Sequence, residues 1–170
     1  MPVCYYDTML ITTYGSPFGA GVIVMNLNKI KYHLWGRQLA ELSAAAKRLE
    51  PAAVEARMPV DLRTALNDYF NGARTDLGRW IPDPGGVSAF AGGVYEATRS
   101  LKWGETATYS DIAAAIGSPG AARAVGAALG RNPTPLFVPC HRVLASSGEG
   151  GWSGPPGLKA KLLALEGVAA

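Results

Sequence analysis

One short stretch limits how this chain of 170 residues can fold. Residues 81–86 read Ile-Pro-Asp-Pro-Gly-Gly, and prolines and glycines at this density interrupt helices and strands. The sequence has no internal repeat and no low-complexity tract, which leaves this stretch as the credible linker. We therefore predict two domains, residues 1–85 and residues 86–170, in an α+β protein that is long enough to bury a real core.

The half before the linker has the pattern of a small α+β scaffold. Segments rich in β-branched and apolar residues predict strands, and segments with apolar residues at helical spacing predict helices. The strands are predicted at residues 10–14, 21–27 and 29–34, with a turn at 15–17, and the helices at 37–49 and 59–70. The inward side chains of these helices would be Leu39, Leu42, Ala46 and Leu49, then Leu62, Leu66, Tyr69 and Phe70. Reactive side chains are not grouped in this half.

The half after the linker is predicted to be mostly helical. Ser88 can cap a first helix that runs to Leu101, and a capping box at residues 108–111 opens a second that runs to residue 116. Ser118 and Pro119 have the cap and first-turn chemistry of a third helix, which stops at residue 130. A last helix is predicted at residues 158–166, with inward side chains Leu158, Leu162 and Leu165.

Two short helices joined by a glycine-containing turn, at residues 108–130, indicate either a helix-turn-helix or an ordinary αα-hairpin. Residues 112–148 carry Arg123, Arg131 and Arg142 and no acidic residue, which suits a polyanionic partner such as nucleic acid. The second helix has no Asn, Gln or Lys that would read base edges. Its small residues predict DNA contact with little sequence specificity, and a core helix packed through alanines is the alternative.

The composition argues against several classes of protein. Cys4 and Cys140 are separated by most of the chain, so a disulfide framework is not expected. Together with His33 and His141 they lack any recurrent spacing of zinc ligands, and we expect no metal. The first residues lack the basic start and apolar run of a signal peptide, and no apolar stretch reaches membrane-spanning length. We therefore expect a cytoplasmic protein, associated with the nucleoid if its source is prokaryotic.

Residues 138–143, Val-Pro-Cys-His-Arg-Val, place Cys140 directly beside His141. A thiolate is a strong nucleophile, and a neighbouring base or positive charge lowers the pKa of a thiol from about 8.5. Side chains alternate in an extended segment, so His141 would act on Cys140 only through a tight turn or a bridging water. Of the two acids downstream that could orient the histidine, Glu166 ends a packed helix and Glu149 lies in a loop. The alternative is a buried cysteine beside a surface histidine.

A loop rich in glycine and proline follows this motif at residues 146–157. Its backbone has to be irregular, because glycine and proline at this density exclude regular structure. Such a loop can wrap a planar ligand and use backbone N–H and C=O groups as polar contacts.

Four segments together resemble the O6-alkylguanine-DNA alkyltransferases, also called methylated-DNA–protein-cysteine methyltransferases. They are residues 104–113 (Gly-Glu-Thr-Ala-Thr-Tyr-Ser-Asp-Ile-Ala), 121–126 (Ala-Ala-Arg-Ala-Val-Gly), 132–135 (Asn-Pro-Thr-Pro) and 138–143. The resemblance implies a small N-terminal α/β domain that is ribonuclease-H-like, followed by a mostly helical C-terminal domain with a winged helix-turn-helix. It also implies DNA repair in a single turnover without a cofactor, in which a monomer takes the alkyl group from O6-alkylguanine in double-stranded DNA.

The same resemblance implies roles for individual residues. Its catalytic group would be the nucleophile Cys140, the base His141 acting through a water, the orienting acid Glu166, the donor Tyr109 and the bridging Asn132. Its substrate and DNA contacts would be Arg123, which fills the stack that the flipped guanine leaves, the carbonyls of Cys140 and Val143, the Ser153 N–H at O6, and Lys159. Trp152 and Gly154 would belong to the loop over the pocket.

This loop departs from the family's usual Gly-Gly-Tyr-Ser-Gly-Gly-Leu. Residues 150–158 read Gly-Gly-Trp-Ser-Gly-Pro-Pro-Gly-Leu, so Trp152 replaces a tyrosine and Pro155 and Pro156 stiffen the loop. The range of alkyl groups, with O4-alkylthymine and benzylguanine, is therefore left open. Two other functions stay open as alternatives. One is a lesion sensor that binds alkylated DNA without repair, although relatives of that kind lack the cysteine, and the other is a Cys-His hydrolase.

Overall fold

The computed structural model describes residues 8–83, 85–148 and 150–168. Its backbone forms two compact units, with the boundary between Gly85 and Gly86. The described elements of the first unit are β1 (Leu10–Ser16), β2 (Gly19–Asn26), β3 (Lys29–Gly36), α1 (Leu39–Leu49), β4 (Val54–Glu55), α2 (Val60–Phe70) and β5 (Ile81–Pro82). Those of the second are α3 (Ala89–Arg99), β6 (Ala107–Thr108), α4 (Tyr109–Ala115), α5 (Ala122–Gly130), a 3-10 turn (Cys140–Arg142), β7 (Val143–Leu144) and α6 (Leu158–Leu165). Within the described ranges no helix combines the length and the hydropathy needed to cross a bilayer.

A five-stranded sheet with the order β4-β1-β2-β3-β5 forms the first unit. The three predicted strands are its antiparallel centre, and Ser16 pairs with Gly19, so the turn between β1 and β2 is shorter than predicted. The two edge strands pair in parallel and were not predicted. The linker prediction was wrong at its start, because the Ile81 N–H donates to the Asn28 carbonyl at 2.7 Å and continues the sheet. Proline is tolerated there because an edge strand leaves one side unpaired.

The side chains predicted to face inward agree with the structure better in α2 than in α1. All four side chains predicted to face inward from α2 are buried, which confirms that prediction. In α1 only Ala46 is buried, and Leu39 and Leu49 are 42% and 45% exposed. The prediction was wrong for these two leucines because they are the first and last residues of α1, at the ends of the packed segment.

Aromatic rings fill much of the first unit's interior. Phe70 of α2 stacks on Tyr14 with ring centroids 5.8 Å apart and meets Trp35 edge-on at 5.5 Å. The Tyr14 hydroxyl hydrogen-bonds Nε2 of the buried His33 at 2.6 Å. His33 is therefore a satisfied core histidine, as buried polar groups usually are.

The second unit buries Cys140 in a core that its helices largely form. The core side chains are Val94, Tyr95, Ile112, Ala113, Val125, Ala128, Leu129, Val138, Cys140 and Val143. The helix starts follow local sequence signals: the Ser88 hydroxyl accepts the Ala91 N–H, and Thr108 and Asp111 form a reciprocal capping box. These two helix starts were predicted correctly.

Two other helix predictions in this unit need correction. The third helix begins at Ala122, because Gly120 adopts a left-handed φ of +89° and Ser118 and Ala121 close a turn instead. In α6 the fully buried leucines are Leu158, Leu162 and Leu163, whereas Leu165 is only half-buried. The helix prediction therefore placed the buried face of α6 partly wrongly.

Candidate active site

The motif at residues 138–143 folds as a tight turn rather than as an extended strand. The Cys140 N–H donates to the Val138 carbonyl at 2.7 Å, and the Arg142 N–H donates to the Pro139 carbonyl at 2.9 Å. The alternation of faces expected for an extended segment therefore does not hold here. Cys140 and His141 are both buried, at 5% and 1% exposure, so the alternative of a surface histidine is wrong.

His141 is held by Glu166 at the end of α6. His141 Nε2 lies 2.9 Å from Glu166 Oε1, and the Gly104 N–H donates to the other carboxylate oxygen at 3.3 Å. Of the two acids considered from the sequence, the structure thus brings Glu166 to the imidazole, and Glu149 lies outside the described residues. An imidazole bound through one ring nitrogen to a carboxylate has its orientation and tautomer set by that bond.

Arg142 has a role that the sequence argument missed. Its guanidinium grips both oxygens of Glu166, with Nε and one terminal nitrogen at 2.8 and 2.9 Å, and the other terminal nitrogen reaches the Leu101 carbonyl at 2.7 Å. From the sequence we placed Arg142 with Arg123 and Arg131 in a positive strip that suits a polyanionic partner. Arg142 is instead buried, and its charge pairs with Glu166. The strip expected on the surface is therefore wrong at this position. Arg123 and Arg131 remain exposed.

The surroundings of His141 favour its neutral form. Burial lowers the pKa of the imidazole, Glu166 acts in the opposite direction, and the charges of Arg142 and Lys159 lower it further. Because the effect of burial outweighs that of Glu166, the His141 pKa lies below its ordinary value of 6.5. A neutral imidazole is able to accept a proton, which is what a base next to a thiol has to do.

Cys140 is surrounded by groups with opposite effects on its thiol. Burial is the largest effect and raises the pKa of Cys140 above its ordinary value, while hydrogen bonds from Trp152 and Asn132 and the positive charge of Lys159 act in the opposite direction. The Trp152 indole Nε1 lies 3.2 Å from the sulfur. Asn132 also donates from its side chain to the Val138 carbonyl at 3.0 Å, so it links the end of α5 to the motif.

Lys159 is a second buried charge of the site. Its ammonium donates to the carbonyl of Val143 at 2.8 Å, while the carbonyl of Cys140 accepts the N–H of Val143. A carbonyl oxygen has two lone pairs, so each of these two carbonyls is able to accept a second hydrogen bond. The family resemblance implies that these carbonyls bind a guanine amino group, and that role stays a prediction.

A cavity of about 350 Å³ opens over the sulfur. Its lining consists of Tyr109, Arg123, Gly126, Leu129, Gly130, Cys140, Gly151, Trp152 and Ser153. The structure thus brings five of the predicted site residues together at one cavity. The other six, His141, Glu166, Asn132, Val143, Gly154 and Lys159, do not line it. The volume falls in the range of small-molecule pockets, about 300–1,000 Å³. Gly126, Leu129 and Gly130 of the lining were not predicted, because these positions of α5 carry no polar side chain that would mark a site.

The loop over the cavity is tied down at two points. The Tyr109 hydroxyl donates to the Gly151 carbonyl at 2.9 Å, and the Trp152 ring lies so close to Gly154 that a Cβ there would be 2.4 Å from it. Burial, and then the nearby Cys140, raise the pKa of Tyr109, so its hydroxyl keeps its proton. Gly154 is therefore required by the shape of Trp152 and does not line the cavity.

A buried thiol that is next in sequence to an imidazole–carboxylate pair, at the wall of a cavity lined by a helix pair, is the arrangement expected of a protein with a cysteine nucleophile. Residues 89–168 match the family model described as "6-O-methylguanine DNA methyltransferase, DNA binding domain". The chain is 42% identical over 155 residues to the methylated-DNA–protein-cysteine methyltransferase of Metallosphaera sedula, which covers 91% of each protein. The chain belongs to the methylated-DNA–protein-cysteine methyltransferase family.

Solved structures resemble the whole described chain. The O6-methylguanine methyltransferase of Mycobacterium tuberculosis matches with a TM-score of 0.77 and 33% identity, covering 94% of this chain and 93% of that one. The protein from the same organism in complex with DNA matches with a TM-score of 0.76 and 33% identity, covering 92% of each chain. The mixed α/β architecture, with its five-stranded sheet and six helices among the described residues, is therefore shared with these proteins.

No group of three His, Cys, Asp or Glu side chains in the described ranges is placed to hold a metal ion.

Proposed function

We propose that this protein repairs DNA by one irreversible transfer of an alkyl group from O6 of guanine to the sulfur of Cys140. The observation that carries the proposal is the position of the Cys140 sulfur, buried in the core yet at the wall of the cavity beside α5. Membership of the family supports the reaction, and the similar protein solved in complex with DNA supports the partner. The substrate in this proposal is O6-alkylguanine in double-stranded DNA, and the protein acts as a monomer.

The helix pair α4–α5 is the part of the protein that docks on DNA in this proposal, as a winged helix-turn-helix in the minor groove. Helix α5 buries Val125, Ala128 and Leu129 and leaves Ala124 and Ala127 exposed. A face of small side chains lets a backbone come close to a groove, and such contact reads shape rather than base edges. Arg123 is exposed near the start of α5 and also lines the cavity.

The cavity then receives a guanine that has left the base stack. Flipping a base costs a few kcal/mol, less for a lesion that pairs badly, and a side chain that fills the gap lowers this cost. Arg123 stands at the cavity mouth for that purpose. The carbonyls of Cys140 and Val143 accept from the amino group of guanine, and the Ser153 N–H donates to O6.

The chemical step is a displacement at the alkyl carbon. His141 takes the proton of Cys140 through a water, and Glu166 stabilises the imidazolium that results. The S–C bond forms while the C–O6 bond breaks, and the electron pair of that bond passes to O6 of guanine. Tyr109, which keeps its proton, exchanges its hydrogen bond to the Gly151 carbonyl for one to the ring of the departing base. The product is a thioether, which water does not cleave, so each molecule acts once.

The test is the mass of the protein after incubation with a duplex that contains O6-methylguanine. We expect one methyl group per molecule, located on the Cys140 peptide. Cys4→Ser is the matched control and should gain the methyl group as the parent does, whereas Cys140→Ser should bind the duplex and gain nothing. An intact fold with no methyl on Cys140 would disprove the proposal, and repeated turnover would favour the hydrolase.

A further inference from the structure

The contact between Trp152 and Cys140 is a feature of the site that the proposed transfer does not use. The indole N–H points at the sulfur over 3.2 Å, across a separation of twelve residues in the chain. The indole is half-buried, lines the cavity and packs on the apolar core that contains Cys140. Its placement therefore depends on the fold of the loop and not on the local sequence.

The loop around Trp152 is built to hold the indole in this position. Gly154 has no side chain because a Cβ there would lie 2.4 Å from the ring. The Tyr109 hydroxyl fixes the Gly151 carbonyl, one residue before the indole. A ring that is fixed on both sides has little rotamer freedom to lose, so the hydrogen bond that it donates is pre-organised.

The Cys140 sulfur needs a hydrogen-bond donor because it lies in an apolar core. Its neighbours in the core are apolar side chains such as Val94, Val125 and Val138, and an anion in such surroundings is unstable without hydrogen bonds. Trp152 and Asn132 supply hydrogen bonds to the sulfur, and Lys159 supplies a charge that does not require direct contact. Asn132 divides its two N–H groups between the sulfur and the Val138 carbonyl, whereas the sulfur is the described acceptor of the single indole N–H.

We propose that Trp152 is a positioning residue that stabilises the thiolate of Cys140 once His141 has taken the proton of the thiol. This inference rests on the proposed function, since it concerns the readiness of the same nucleophile. The indole transfers no proton: its N–H stays on nitrogen and donates a charge-assisted hydrogen bond to S⁻, which is stronger than one to a neutral acceptor. A thioether sulfur is a weak acceptor, so the bond is weakened once the alkyl group has been transferred.

The experiment is the rate at which Cys140 reacts with iodoacetamide as a function of pH. The reaction is followed on the Cys140 peptide by mass spectrometry, which keeps Cys4 separate. Trp152→Phe retains an aromatic ring and removes the N–H, and we expect its rate profile to shift upward by about one pH unit. Trp103→Phe is the matched control, a half-buried tryptophan of the same unit that does not line the cavity, and its profile should stay in place.

A second measurement needs no variant and covers a Trp152→Phe protein that fails to fold. In the parent protein the indole N–H resonance of Trp152 should move as Cys140 titrates, and should move again when the sulfur is methylated. An unchanged rate profile in a folded Trp152→Phe protein, or an indole resonance that ignores both events, overturns the inference. Methyl transfer from DNA by the parent protein is measured in parallel. If it occurs while the profile is unchanged, the inference alone is wrong, and if it does not occur, the proposed function is wrong.

Discussion

The two units of this protein bury different kinds of side chain. The buried polar residues described in the first unit, Thr12 and His33, are neutral or able to be neutral, and aromatic rings surround His33. The second unit buries Arg142, Lys159 and Glu166 together with His141. Burying charges is expensive even when they are paired, and well-packed apolar residues usually stabilise a core at least as well.

This difference suggests that the buried polar groups of the first unit serve packing and those of the second unit serve the reaction. The charged groups of the second unit all act on one small region: Glu166 and Arg142 hold His141, and Lys159 acts on the carbonyl beside the turn and on the Cys140 sulfur. The first unit has no comparable group of buried charges among its described residues. The comparison predicts that substitutions in the second unit impair activity and stability together, while those in the first impair stability alone.

The largest effect is expected for Glu166→Gln. It leaves the Arg142 charge buried without its partner, which costs about 3–5 kcal/mol of unfolding free energy. It also removes the negative charge that stabilises protonated His141, so single-turnover methyl transfer should slow by about 10²-fold or more. Urea denaturation and rapid-quench transfer measure the two effects.

Tyr14→Phe is the counterpart of that change in the first unit, because it removes the hydrogen bond to His33. It should cost about 1–3 kcal/mol and leave the rate per folded molecule unchanged. A Glu166→Gln protein that retains both stability and rate would break the comparison.

Arg123→Ala should slow repair of duplex DNA by about tenfold or more, since a few kcal/mol of flipping energy are no longer offset. Reaction with free O6-benzylguanine, which needs no flipping, should change much less. Arg131→Ala removes the same charge from an exposed residue that does not line the cavity, and is the control for simple charge loss. Equal losses on both substrates would mean that Arg123 does not support flipping.

In the first unit, Gly21→Ala should lower the stability of the protein and leave the rate of methyl transfer per folded molecule unchanged. A Cβ at Gly21 would lie 2.2 Å from the Tyr14 ring, and overpacking of this kind costs about 1–3 kcal/mol. Gly15→Ala is the matched control, because nothing lies within 4 Å of a Cβ there. Thermal melts measure the stabilities. A lower transfer rate per folded Gly21→Ala molecule would contradict the prediction that substitutions in the first unit impair stability alone.

The smallest effect is a pH dependence of stability that comes from His141. Its pKa in the folded protein lies below the ordinary 6.5, so the unfolded chain binds the proton more readily. Stability from this residue is present above about pH 6.5 and is lost as the pH falls below that value. The difference in urea stability between the parent and His141→Gln should therefore change as the pH is lowered. A constant difference would show that His141 does not carry a depressed pKa.

The sequence predicted the parts of the fold that depend on local chemistry. Thr108 and Asp111 are three residues apart and form the capping box that their identities predict. Ser118 and Pro119 carried an equally good signal, but the left-handed backbone at Gly120 ends that start. A capping signal thus predicts a helix start only where the residues that follow it adopt helical backbone angles.

The site was less predictable where it depends on burial. Nothing in the sequence distinguishes Arg142, which grips a buried carboxylate, from the exposed Arg123 and Arg131. The contact of Trp152 with Cys140 likewise requires the path of a loop without regular structure. The resemblance to a family named most of the residues involved, but which of them touch is a property of the packing.

The short ladder between β6 and β7 joins the helix pair to the nucleophile. Thr108 is both the cap residue of α4 and the strand partner of Leu144, and Ala107 pairs with Val143 at the end of the 3-10 turn. A displacement of α4 would therefore reach the turn through two adjacent residue pairs. We expect the alkylated and the unmodified protein to bind DNA with different affinities if alkylation at the sulfur shifts this turn. The backbone amide protons of this ladder, followed by hydrogen exchange, report on both events at one place in the molecule.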